Sequence, residues 1–557
     1  MAVSALPDAP LAPPMPRLRA AVVVPARDEE QRIGACLDAL AAQERLAADE
    51  YELIVVLDAC EDGTAAAVEA ARGRHPELVV HTLIGPGEGA GPARAAGMDV
   101  GCARLEAAGA ERGLLASTDA DTLVAPDWLA SQLVSLAAGA EAVGGEIELD
   151  PGEAAALPRR VLVGRAAELV ERTRQAAARG PAEHAHFSGA SLGITPRAYR
   201  EVGGMARLAA LEDQELEDRL AAAGVAIHRP RAVRVVTAAR TDGRAERGLA
   251  RDLELGDWLA RRSYDGSGYR ALDLLAAKTA SVAAILPARE CAATIGRTVA
   301  ALVPLRELGL IDRLLVVDAD SVDDTAALAR AAGAEVLSEN ELAPALGPAR
   351  GKGDAMWRAA AAVECDVLAF LDADSADFDP SFLVGLLGPL FEDPELVLVK
   401  GAFRRPLALG EEGAAQEGEG GRVTELVARP LLNLHFPRLA GFAQPLAGEI
   451  AIRRQLFARF AVPVGYGVEI GMLVDALRLA GLDALAQVDL GSRQNRHQRL
   501  RDLSRMAAEV MVAVERRIGA PPRPGSPSFR PRPEAGGAAE VWRLRTEERP
   551  PLARAPE

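Results

Sequence analysis

The chain carries the same four segments twice, in the same order. VVVPARDEEQRIG, starting at Val22, is answered by AAILPARECAATIG, starting at Ala283. ELIVVLDACEDGT (52–64) is answered by RLLVVDADSVDDT (313–325). A Gly-Pro-Ala-Arg turn at Gly91–Arg94 recurs at Gly347–Arg350. LLASTDADT (114–122) is answered by VLAFLDADS (367–375). Four matched segments in one order indicate a duplicated domain, because chance repeats do not keep order.

The repeats are short apolar runs separated by Ala-rich stretches. AAVVVPA, ELIVVLDA, LVVHTLIG and GLLASTDA are apolar along their whole length, as strands covered on both faces must be. Helical stretches at 31–43 and 63–73 alternate with them. This rhythm predicts an α/β fold with a mostly parallel sheet flanked by helices, built twice. The expected boundaries are a loose Pro-rich start at 1–18, a first domain at 19–262, a helical linker at 263–280, a second domain at 281–518 and a disordered Pro/Gly/Arg-rich tail at 519–557. An acidic, Gly-rich stretch at 409–421 is either a plain surface loop or a lid over a site.

The net charge of −17 excludes a general nucleic-acid binder, which needs a basic face. Five scattered cysteines with no CxxC pair read as reduced thiols, and the N-terminus lacks the pattern of a secretory signal. No apolar run reaches the ~18 residues of a membrane span. Together these imply a cytoplasmic protein.

The chemistry concentrates at the strand ends. Asp119 and Asp121 close one apolar strand, and Asp372 and Asp374 close its counterpart. Residues i and i+2 of a strand point the same way. Each pair therefore faces the carboxyl edge of the sheet, where open α/β sheets bind ligands. Oxygen ligands suit Mg2+ or Mn2+, which can bridge a diphosphate and neutralise it as a leaving group. Asp121 and Asp374 are the expected metal ligands, with Asp119 and Asp372 on the donor. Capping of a following helix is the bland alternative. Asp58 and Asp318 end the second strands and can accept a base imide N–H. Pro25, and the run Pro287, Ala288 and Arg289, follow the first strands and shape the base pocket. Arg94 stands in the turn that precedes the Asp-Ala-Asp strand.

These features resemble the GT-A fold of family 2-like glycosyltransferases, and the resemblance covers both halves. Sugar nucleotidyltransferases share the sheet but open with a G-x-G-T-R loop that neither copy has. The second half adds GPARGKGDAMW (347–357), GGRVTELVARPLL (420–432), QPLAGE (444–449), GYGVEIGMLVD (465–475) and AQVDLGSR (486–493). These motifs closely resemble glucosyl-3-phosphoglycerate synthases. That resemblance implies retaining transfer of glucose from UDP-glucose, or GDP-glucose, to 3-phosphoglycerate. It also implies a possible homodimer. Gly421, Arg422, Val423 and Thr424 open a helix whose free N–H groups suit the acceptor phosphate. Lys352, flanked by glycines, is the implied donor contact, and Glu469 the implied catalytic-site acid that holds sugar or acceptor hydroxyls.

Two places depart from the family pattern. Glu290-Cys291-Ala292 replaces an acidic run that the first copy keeps as Asp28-Glu29-Glu30. Asn495 stands where the family has a metal-binding His; His497, two residues later on the same strand face, is the candidate substitute metal ligand, a solvent-facing His the alternative.

In the first half, HFSGASLGITPRAYREVGG (186–204) resembles a family 2 acceptor segment, followed by Glu212-Asp213. Inverting transfer needs a general base for the acceptor hydroxyl, and Asp213 is the candidate. Arg240 and Arg244 either bind an anion or coat a surface. The expected whole is two tandem GT-A domains. The acceptor of the first stays open, as does the alternative that the first copy is a non-catalytic interaction platform.

Overall fold

The computed structural model describes residues 11–243, 247–404, 421–493, 500–521, 528–531 and 540–552. The chain divides into two units, Met1–Ala260 and Arg261–Glu557.

In the first unit, Ala20–Ala26 is the central strand, paired in parallel with Tyr51–Leu57 on one side and Leu114–Ser117 on the other. Val79–Ile84 continues the parallel set, and Leu192–Ile194 joins Leu114–Ser117 antiparallel. Ala142–Gly144 and Ile227–His228 complete the seven-stranded sheet. The burial follows from the strands' composition. Val22 and Val24 enter one apolar cluster while Ala21 and Val23 enter another, so both sheet faces are covered.

The second unit repeats this order. Val282–Ala288 is flanked in parallel by Arg313–Asp318 and Val367–Phe370, with Glu335–Ser338 beyond. Ile450–Arg453 is the antiparallel counterpart of Leu192–Ile194, and Leu398–Arg404 that of Ala142–Gly144. The duplication is therefore a duplication of topology.

Pro25 and Pro287 sit inside central strands without cost to the ladders. Pairing to the Leu114–Ser117 strand spans only Ala20–Val23, and pairing to Val367–Phe370 spans only Val282–Ile285. Each proline lies past that point, where one edge of the strand has no neighbour to receive an N–H.

Two sequence expectations need correction. The segment 263–280 is not simply a helical linker: Ser263–Asp265 is a strand, paired in parallel with Leu485–Ser492, and only Ala271–Ala277 is α-helical. Nor is the whole 519–557 tail without structure. Glu548 and Arg549 pair antiparallel with Pro463 and Val462, and Trp357 Nε1 donates to the Pro550 carbonyl at 2.8 Å. Composition hid this, because the residues that dock are scattered among prolines and arginines.

Candidate functional site

In the second unit the Lys352–Ala362 helix opens at Gly351, whose φ of 142° only glycine adopts easily. Gly353 lies so close to the Pro463 carbonyl that a Cβ there would stand 1.8 Å from the oxygen. The two glycines let the helix start against its neighbour and aim Lys352 across the sheet edge. Lys352 Nζ lies 2.6 Å from Asp372 Oδ1 and 2.8 Å from Glu469 Oε1. The two carboxylates hold the ammonium charged, raising its pKa against the effect of burial. Glu469 is 5% exposed, in the first turn of the Val468–Ala480 helix, where the dipole favours an acid.

Asp374 stands beside this bridge. Among the described residues it forms no ion pair. Its carboxylate reaches solvent, yet loss of surrounding water and the neighbouring Asp372 charge raise its pKa, against the pull of Lys352 and Arg493. A carboxylate held in that state fits a hard cation. Arg493 is buried and pairs with Glu449, while its Nε donates to Ser375 Oγ at 3.1 Å. In sequence these two buried residues show only as the last residues of QPLAGE and AQVDLGSR, which carry no sign of their pairing.

Asp318 is 8% exposed, and its Oδ1 has no hydrogen-bond partner among the described residues. A buried acceptor at a strand end needs a donor N–H. Ala288 is buried and Arg289 exposed beside it. Gly421, Arg422, Val423 and Thr424 do open a helix, which passes through one π turn at Thr424–Ala428 before Arg429–His435. Asn495, His497, Arg244 and residues 409–420 lie outside the described residues. Among the described ones, no cluster of three or more His, Cys, Asp or Glu is arranged for a metal.

The first unit builds the same bridge from a different position. Its helix Ala90–Ala107 opens at Gly89, φ 107°, and Gly91 lies as close to a carbonyl as Gly353 does, with a Cβ position 1.9 Å from Leu208 O. Gly89-Ala90-Gly91 is thus the structural counterpart of Gly351-Lys352-Gly353. This corrects the match of the two Gly-Pro-Ala-Arg runs: one lies inside its helix, the other before it. Ala90 replaces the lysine, and Arg94, one helical turn on, supplies the charge. Its Nη2 lies 2.6 Å from Asp119 Oδ1 and its Nε 3.0 Å from Glu212 Oε1. Arg94 is 3% exposed and also donates to Ser117 and Gly189, so it organises the carboxylates rather than reaching outward. Glu212 thus plays the part of Glu469. Asp213 is set beside it, accepting from Gly189 N at 3.0 Å and Gln214 N at 2.8 Å.

Two features separate the units. Asp58 spends both oxygens on the turn that follows its neighbouring strand, accepting from Gly87 N at 2.6 Å and Gly89 N at 2.9 Å. Asp121 contacts the Arg240 guanidinium. Burial and Asp119 push the Asp121 pKa up to about 6, with Arg240 opposing them.

A family model described as "Glycosyltransferase like family 2" matches residues 16–251, and one described as "Glycosyl transferase family 2" matches residues 283–431. Glucosyl-3-phosphoglycerate synthase of Mycolicibacterium paratuberculosis is 43% identical over 274 residues, covering 49% of this chain and 83% of that protein. The chain belongs to the glucosyl-3-phosphoglycerate synthase family. The enzyme of that name from Mycolicibacterium smegmatis is 44% identical over 263 residues, covering 47% of this chain and 86% of its own. Among solved structures, mannosyl-3-phosphoglycerate synthase of Rubrobacter xylanophilus is 43% identical, covering 54% of this chain and 97% of that one, with a TM-score of 0.48. A Mycobacterium tuberculosis glucosyl-3-phosphoglycerate synthase, solved with Mn2+, UDP-glucose and phosphoglyceric acid, is 37% identical, covering 51% and 95%, with a TM-score of 0.46. Membership of the glucosyl-3-phosphoglycerate synthase family makes this chain a glycosyltransferase with two family 2 domains. No helix among its described residues is long and apolar enough to cross a membrane.

Proposed function

We propose that the second unit transfers glucose from UDP-glucose, or GDP-glucose, to 3-phosphoglycerate, giving glucosyl-3-phosphoglycerate with retention. The observation that carries this reading is the Lys352 ammonium held between Asp372 and Glu469, beside an Asp374 that forms no ion pair among the described residues. The relatives' shared activity supports the choice of substrates, and the motifs from 347 to 493 support assigning it to this unit.

The donor's base would give its imide N–H to Asp318 Oδ1. Its diphosphate would lie against the opening of the Lys352–Ala362 helix, where N–H groups and the dipole favour negative charge. Asp372 and Asp374 would hold a Mg2+ or Mn2+ ion, which supplies positive charge to the departing diphosphate. Lys352 fixes the Asp372 carboxylate and adds its own charge at that edge. Glu469, tied to Lys352, orients a hydroxyl. This ion pair keeps Glu469 from serving as a general base, in accord with retention. Gly421 to Thr424 would take the phosphate of the acceptor at their helix opening. The first unit is read as a second, inverting transferase, with Asp213 as the base beside the Arg94 bridge.

UDP release from UDP-glucose, followed with and without 3-phosphoglycerate, tests the reading. Release that depends on 3-phosphoglycerate is expected; indifference to it would remove the assignment. Asp318→Ala should weaken UDP binding by roughly 10- to 100-fold, the worth of about 1.5–3 kcal/mol for a hydrogen bond to a charged group. Calorimetric titration with UDP checks it, and unchanged affinity would take Asp318 out of the base pocket.

A further inference from the structure

The two acid pairs differ in what already occupies them. In the first unit Asp119 is bonded to Arg94, and Asp121 to Arg240. Arg240 is itself fixed, with Nη2 3.0 Å from Glu29 Oε1. The residue before it is fixed too. Glu153 accepts from Ala239 N at 2.7 Å and from Arg32 Nη1 at 2.8 Å, which holds the end of this segment against the site. Arg240 keeps a quarter of its side chain exposed, so the residue that covers the acids also borders solvent.

The duplication supplies the comparison. Glu29 and Cys291 occupy the same place, since the backbone N–H of each donates to the threonine that opens the helix after the second strand, Thr64 at 2.7 Å and Thr325 at 2.8 Å. The first unit thus has an extra carboxylate beside its Asp-Ala-Asp pair and an arginine clamped to it. The second has a neutral thiol there, and its Arg493 pairs with Glu449 instead of Asp374. The exchange at two positions is coordinated: Glu29 holds Arg240, and Arg240 covers Asp121. A divalent ion at Asp121 would have to displace a guanidinium bonded to two carboxylates. The first unit's acids therefore do not fit the ion that suits the second.

We propose that the first unit's donor site works without a divalent ion, with the Arg240 guanidinium standing in the ion's place against a nucleoside diphosphate. This rests on reading the first unit as a nucleotide-sugar site. Guanidinium suits the task, because it binds phosphate oxygens through paired N–H groups and keeps its charge.

The test counts Mn2+ bound per full-length chain by electron paramagnetic resonance, at saturating UDP and in a second series at saturating GDP. One Mn2+ per chain is expected, lost in Asp374→Asn and kept in Asp121→Asn. Arg240→Ala should raise the count to two by freeing Asp121. Two ions in the unsubstituted chain, or loss of one in Asp121→Asn, would overturn the proposal. An unchanged count in a folded Arg240→Ala protein would overturn the role given to Arg240. Should that variant fail to fold, Glu29→Gln, which loosens the same guanidinium, reports on it. Titration of UDP and GDP in EDTA with the Asp374→Asn protein completes the test. Binding that persists there and falls at least tenfold when Arg240 is also replaced supports the proposal. Binding that needs Mn2+ overturns it and leaves the first unit a donor site, whereas no binding under either condition overturns the donor-site reading as well.

Discussion

Replacing Asp374 with Asn should lower 3-phosphoglycerate-dependent UDP release by roughly 10²–10³-fold, with the protein still folded. The change keeps the side chain's size and removes its charge at the strand end. It weakens the hold on the ion that would neutralise the leaving diphosphate, a loss of about 3–4 kcal/mol, the usual scale for one preorganised group acting on developing charge. Asp374 makes no ion pair among the described residues, so its loss leaves no buried cation stranded. Stability should change little. Asp372→Asn should be worse on both counts, because it strips Lys352 of one of its two carboxylates. Steady-state rates paired with thermal melts separate the two variants. An Asp374→Asn enzyme with near-normal rate would place the diphosphate away from this strand end.

Asp354→Ala should cost the second unit about 3–5 kcal/mol, the typical penalty for leaving a buried charge without its partner. Asp354 is fully buried, in the first turn of the Lys352–Ala362 helix. It accepts from Arg549 Nε and Nη2, both at 2.7 Å, from Arg358 Nε at 3.1 Å and from Arg350 N at 2.9 Å. Truncation leaves two buried guanidiniums facing an empty place. It also releases the Glu548–Arg549 strand from the Val462–Pro463 edge. Burial would raise the Asp354 pKa, but Arg549 and Arg358 outweigh it and hold the pKa below the ordinary carboxylate value. A depressed folded pKa means this stability is present at neutral pH and is lost as pH falls through the acid range below that value. Chemical denaturation should show the second unit's transition shifted and the first unit's unmoved. A shift under 1 kcal/mol would mean the tail contributes no more than a surface contact.

The parallel sheets were legible because their strands carry unbroken apolar runs, as VVVPA and LIVVL show. The strand-end acids were legible for the same reason, since a charge that closes such a run has nowhere to go but the edge. What the residues could not show was spacing in three dimensions. The two Gly-Pro-Ala-Arg runs look equivalent, yet the helices start at Gly89 and Gly351, which shifts the register and swaps Lys352 for Arg94. Only the close approaches of Gly91 and Gly353 to carbonyl oxygens reveal the true match. Glu212 was visible as half of a Glu-Asp pair, but its bond to Arg94, 118 positions earlier, has no local signature. The docking of Arg549 onto Asp354 spans 195 positions and hid in a segment with the composition of a disordered tail.

The central claim concerns which bond the second unit makes. Proton NMR of the product formed from UDP-glucose, 3-phosphoglycerate and Mn2+-loaded protein, taken after metal removal, addresses it directly. The account predicts glucose joined to the free hydroxyl of 3-phosphoglycerate with the α configuration of the donor kept. A β-linked product, or free glucose with 3-phosphoglycerate left intact, would contradict it.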